Sequence, residues 1–181
     1  MPSSGVAHRI FLFMSTADLN RLEQQACQAG LLLRLKVSRP LGIWALRLVV
    51  AVPMDDERLQ LLGEMKAWAY AARHGLQLDT MRVMPGAPPG VGDLIWAATM
   101  AWALEATPCR QARLLAICDQ ERQHRRLVRY FRQRRFSTVR DVGAALWDLP
   151  LRIVWGGAGA LMIGNCEQVL EISQRRWQAS V

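Results

Sequence analysis

Lysine is nearly missing from this 181-residue chain: Lys36 and Lys66 stand alone among basic residues that are otherwise arginine. Cys27, Cys109, Cys118 and Cys166 form no Cys-x-x-Cys pair, and His8, His74 and His124 are equally scattered. That spacing offers neither a zinc cluster nor a disulfide framework, so reduced, mostly buried thiols and no metal are expected. There is no Gly-x-Ser-x-Gly and no Ser/His/Asp spacing of the kind a hydrolase needs. The longest apolar runs, near residues 42–53 and 94–104, fall short of the roughly 20 residues of a bilayer-crossing helix. Met1-Pro2-Ser3-Ser4-Gly5 leads straight into Ile10-Phe11-Leu12-Phe13 without a signal-peptide layout. A cytoplasmic protein is the expectation.

What is present is globular in character. Hydrophobic residues make up 51% and charged residues 21%, which rules out a disordered chain. The length suits one α/β domain over residues 1–181, with possible halves at 7–84 and 85–181. The net charge is +8, and residues 81–181 carry fourteen Lys/Arg against eight Asp/Glu. A basic balance of this kind directs attention to anionic ligands or partners.

Hydrophobic periodicity and turn residues predict a βαββαβ order for the first half. Strands are expected at His8–Met14, Leu31–Val37, Ile43–Val52 and Leu76–Met84. One helix is expected at Ala17–Ala29, capped by Ser15-Thr16, and another at Asp55–His74. The second helix is read from acid at its start and from Leu59, Leu62, Met65, Trp68 and Ala72 at helical spacing. This is a ferredoxin-like order. The second half predicts a helix at Asp93–Ala106, a strand at Ala112–Ile117 and a helix at Gln120–Arg134 capped by Asp119. Strands at Thr138–Val142 and Arg152–Ile163, the latter bulged or kinked at Gly156-Gly157-Ala158-Gly159, and a helix at Glu167–Gln178 complete it. The fold class is therefore α/β (α+β), a mixed central sheet flanked by helices.

The most informative segment is the turn Pro85-Gly86-Ala87-Pro88-Pro89-Gly90-Val91-Gly92, between a strand and an apolar helix. A helix that starts at glycines offers free main-chain N–H groups and a positive dipole end to an anion. On its own the turn is equally an ordinary Pro/Gly connector. The order strand, glycine turn, helix, strand, helix and closing aromatic resembles the acyl-CoA-binding half of the GNAT superfamily of N-acetyltransferases over residues 76–162. In that family the turn reads Arg/Gln-x-x-Gly-x-Gly/Ala. Here the frame is Ala87-Pro88-Pro89-Gly90-Val91-Gly92, with both glycines in place and no Arg/Gln. The family's later Asn, Tyr and Gly-Phe align with His124, Phe131, Arg135 and Phe136, of which Phe136 alone is kept. Relative to the family's opening, the expected helix at 55–74 is an insertion.

The resemblance implies acetyl-CoA or CoA as cofactor, held by Val83, Ala87, Gly90, Val91, Gly92, Asp93, His124 and Phe131. The strand edge near Val83 would polarise the acyl carbonyl, and His124 is the candidate catalytic residue. Tyr130 adjoins Phe131, but one helical residue is a rotation of about 100°, so it is expected to point elsewhere. Arg122, Arg125, Arg126, Arg129 and Arg132 lie at three- and four-residue spacing, an anion or partner surface suited to phosphate. Two functions follow. One is an N-acetyltransferase moving an acetyl group from acetyl-CoA to an amine, without the usual Tyr acid. The other is a non-catalytic GNAT-like binding or assembly factor, a pseudoenzyme that engages an acidic protein or nucleic acid through the arginine helix. A homodimer is also compatible. An RNA-binding module is permitted by the ferredoxin-like order and the positive charge but disfavoured, because no Gly-Phe/Tyr-rich strand signature is present and the tryptophans do not interleave with basic residues as a stacking platform would.

Overall fold

The computed structural model describes residues 17–55, 58–118, 121–143, 145–155 and 157–181. The expected strand at His8–Met14, the caps at Ser15-Thr16 and Asp119, and the acid pair Asp56-Glu57 lie outside them. The described elements run α1 (Ala17–Gln28), β1 (Leu32–Ser38), β2 (Trp44–Pro53), β3 (Leu59–Ala69), β4 (Leu76–Val83), α2 (Val91–Ala106) and β5 (Gln111–Ile117). They continue with α3 (Glu121–Arg132), β6 (Phe136–Val142), α4 (Leu149–Trp155), β7 (Gly159–Asn165) and α5 (Cys166–Gln178). The described strands form one mixed sheet in the order β1-β2-β3-β4-β5-β7-β6. The α/β class expected from the sequence holds, as a mixed sheet with helices packed against it.

Two expected elements are corrected. Residues 59–69 form strand β3, not part of a helix, so β1 to β4 are a continuous antiparallel meander. The ferredoxin-like order and the inserted helix both disappear with it. The run Arg152–Ile163 is not one strand: α4 ends at Trp155 and β7 begins at Gly159.

One face of β1–β4 builds the core, with Leu33, Leu46, Leu48, Val50, Met65, Ala67, Leu76 and Leu78 buried beneath α1 and α2. Helix α2 is buried on nearly all sides, as a helix without a polar face must be. Its close seat on the sheet depends on Gly63, where a Cβ would come within 2.7 Å of Ile95 Cδ1 and 2.9 Å of the Arg82 carbonyl. The chain from Arg110 to Gln111 is tied to the Arg73 carbonyl. Asn165 caps α5, its side chain accepting from the Glu167 and Gln168 amides.

The feature that positions a site is the junction of β4 and β5. These parallel strands pair only at Leu76–Ala112 and Gln77–Arg113. Beyond that point β4 continues to Val83 and β5 to Ile117 with no pairing between them. The cause is visible in the register: Lys66 faces Thr80 and Ala67 faces Leu78, which leaves Asp79 as an extra residue in β4. Such a bulge bends and twists the strand that contains it. A wedge opens between β4 and β5, and α2 starts at its mouth.

Candidate active site

The turn from β4 into α2 is held by main-chain bonds, Met84 N–H to the Leu62 carbonyl at 2.8 Å and Ala87 N–H to the Met84 carbonyl at 3.1 Å. Gly90 is the N-cap of α2, with φ 87°, and no side chain caps the helix. A left-handed φ favours glycine. The first-turn amides of Gly92 and Asp93 thus lack intrahelical acceptors. The two glycines of the turn differ in role. A Cβ on Gly90 would overlap Ser180 and press on Trp177, so its open side is filled by the chain just beyond α5 rather than by space for a ligand. A Cβ on Gly92 would meet Val83, Met81 and the Tyr130 hydroxyl only at 3.5–3.9 Å. Gly92, not Gly90, faces the wedge.

Tyr130 corrects an expectation. It points toward the turn, because the Trp96 indole of α2 donates to its hydroxyl oxygen at 3.0 Å. Arg134 lies over its ring, 3.8 Å from the centroid, and donates to Asp93 at 2.7 Å. This ion pair is largely buried, with side-chain exposures of 8% and 17%. Asp93 therefore adds little net negative charge at the helix start, and Arg134 belongs to the interior rather than to the exposed arginine face. Burial raises the Tyr130 phenol above its ordinary value, offset in part by the Arg134 cation and the Trp96 bond. Its proton stays in place at neutral pH.

The remaining candidates divide. Val83 is exposed at the wedge mouth, and Ala87 is half-buried in the turn. Val91 is fully buried and faces the core. Phe131 packs in an aromatic cluster with Trp96 and Phe136, at centroid distances of 6.1 and 6.0 Å. His124 sets Nδ1 3.4 Å from the Ile117 carbonyl at the end of β5. Along α3, Arg122, Gln123, Arg126, Leu127 and Tyr130 line an open groove of about 710 Å³. Its lining thus includes two exposed arginines and Tyr130. Arg125, Arg129 and Arg132 are exposed on the same helix outside that groove lining, with Arg132 donating to Thr138 at 3.4 Å. Arg135 adopts φ 68° immediately before Phe136, at the position where the resemblance has glycine.

The thiols split evenly: Cys109 and Cys166 are buried, while Cys27 and Cys118 are exposed. Burial, with Cys109 as neighbour, pushes the Cys166 thiol up to about 12. Among the described residues no group of three His, Cys, Asp or Glu is placed to hold a metal ion, and no described helix is long and apolar enough to cross a membrane.

No family model matches the chain, and no curated protein does. Solved structures similar to it include the following two. A nourseothricin acetyltransferase shares 14% identity and a TM-score of 0.47, over 78% of this chain and 94% of that one. NAA60 of Arabidopsis thaliana, in complex with a bisubstrate analogue, shares 14% identity and a TM-score of 0.45, over 82% and 93%. These structural neighbours are GNAT acetyltransferases.

Proposed function

We propose that the chain binds acyl-CoA in the wedge between β4 and β5 and transfers the acetyl group to an amine. The observation that carries this reading is the wedge itself: two strands that separate beyond Gln77–Arg113, with an uncapped helix start and a groove containing Arg122, Arg126 and Tyr130 beside it. The residues present suit such a ligand. The Gly92 and Asp93 amides would hold the pyrophosphate, and Arg122 with Arg126 would hold phosphate along α3. The unpaired edge of β4 offers main-chain groups to the pantetheine arm and the acyl carbonyl.

Acyl-CoA supplies an activated thioester carbonyl. When the amine attacks, a C–N bond forms and the C–S bond breaks; the amine loses a proton to solvent and the sulfur gains one. We assign that gained proton to Tyr130, whose oxygen already accepts from Trp96 and whose O–H remains to donate. His124, turned to the Ile117 carbonyl, would position the end of β5. The non-catalytic reading is favoured by one observation, the exposed arginines of α3, which would equally suit an acidic partner.

Calorimetric titration with acetyl-CoA and with CoA, beside the Gly92→Asp variant, tests the proposal. Asp in the first turn suits the helix, so the variant should fold. It should lose affinity by about a hundredfold or more, because a carboxylate then faces the pyrophosphate. Gly90→Asp is not a clean control, since its side chain would collide with Ser180. Equal binding by the parent and Gly92→Asp would refute the site.

A further inference from the structure

The face of β1–β4 opposite the core is covered by no described helix. Its residues follow from the period of two: Arg34 and Lys36 on β1, Arg47 on β2, Lys66 on β3 and Arg82 on β4 are all exposed. The register places Lys36 opposite Arg47 and Arg47 opposite Lys66, so three cations lie side by side across three strands. Like charges in direct cross-strand register destabilise a sheet. Glu64 offsets part of this, with a carboxylate oxygen 3.5 Å from Arg47, and Asp79 lines the same groove. Five cations still stand against two acids.

Beside the cation row is an aromatic one. Trp68 follows Lys66 on the same face of β3 and lines a groove of about 300 Å³ with Lys36, Arg47 and Lys66. Tyr70 continues it, its ring centroid 6.2 Å from that of Trp68, and His74 lies 5.9 Å beyond Tyr70. Cations at strand spacing, about 4.8 Å apart, beside half-buried rings, match the two parts of a single-stranded nucleic acid. Phosphates meet the Lys/Arg row, and bases stack on the ring faces. An acidic peptide would use the row and leave the rings without a role.

We infer that this sheet face binds single-stranded nucleic acid, with Lys36, Arg47 and Lys66 on the phosphates and Trp68 stacking a base. The inference does not depend on acyl-CoA binding, and its test measures no acyl transfer. The probe is a fluorescein-labelled oligouridylate of about 12 nucleotides, with a deoxythymidylate of the same length beside it. Anisotropy is followed from about 50 to about 200 mM salt. Binding should weaken steeply with salt, and the slope of log affinity against log salt should shrink by about 2 in the Lys36→Gln/Arg47→Gln/Lys66→Gln variant. Trp68→Ala should weaken binding about five- to hundredfold with the slope unchanged, and Trp68→Phe should recover most of the loss. Those triple substitutions are at exposed positions, and circular dichroism checks the Trp68 variants for folding. Arg122→Gln with Arg126→Gln should bind as the parent does.

Three results overturn the inference. They are absence of binding at low salt, loss of binding in the α3 pair instead of the triple variant, and a polyglutamate peptide that competes equally while Trp68→Ala has no effect.

Discussion

Helices α2 and α3 stand at the same wedge and are opposite in kind. Helix α2 is apolar and buried, and what it presents to the wedge is main chain, the amides that follow Gly90. Helix α3 is half-exposed and presents side chains, Arg122, Arg126 and Tyr130. A main-chain wall has no functional group that a substitution can delete; it is lost only by adding bulk or charge. A side-chain wall is lost group by group and weakens with salt. The two walls are joined by Asp93 and Arg134, one residue from each side.

The junction should give the largest effect. Asp93→Ala leaves the Arg134 guanidinium buried without its partner, and should cost about 3 kcal/mol or more, lowering Tm by roughly 6–12 °C. A melting curve within a degree of the parent would mean that the two walls are held together elsewhere.

Next comes the hydroxyl. In a protein that transfers acetyl groups, Tyr130→Phe should reduce kcat about a hundredfold with little change in KM. Because the phenol must carry its proton to donate, and burial raises its pKa, the parent should keep this acid in its working form until pH climbs past about 10. A rise in KM at constant kcat would instead make Tyr130 a binding group. Smaller is the arginine wall. Arg122→Gln with Arg126→Gln should weaken CoA binding about tenfold near 50 mM salt and by less at higher salt. A loss that does not depend on salt would break the distinction between the two walls.

The smallest effect is a gain. Arg135 has a positive φ at the end of α3, so Arg135→Gly should stabilise the fold by about 1 kcal/mol, read as a rise of roughly 2–4 °C in Tm.

The sequence carried the second half better than the first, and β3 shows why. Met65, Ala67 and Ala69 face inward and Glu64, Lys66 and Trp68 outward, a period of two. Two of these inward residues, Ala67 and Ala69, are alanines, and small residues give a weak strand signal. The spacing of Leu59, Leu62, Met65 and Trp68, preceded by acid, imitates a helix. The same misreading separated Lys66 from Trp68 and concealed the basic and aromatic face. At the wedge, the glycine turn and the arginine helix were legible from residue type. Tyr130 was not, because aligning on Phe136 placed the phenol's role at Phe131. The roles of Gly90 and Gly92 could not be distinguished either, since Ser180 meets Gly90 only in three dimensions.

The bulge at Asp79 stores the opening as a count of residues rather than as any particular side chain. Exchanging Asp79 for another amino acid leaves the count intact. Deleting it makes the paired stretches of β3 and β4 equal in length, leaves the other residues of β4 opposite their present partners, and removes the bend that makes β4 and β5 part. A one-codon deletion there is thus a different class of lesion from any missense change nearby.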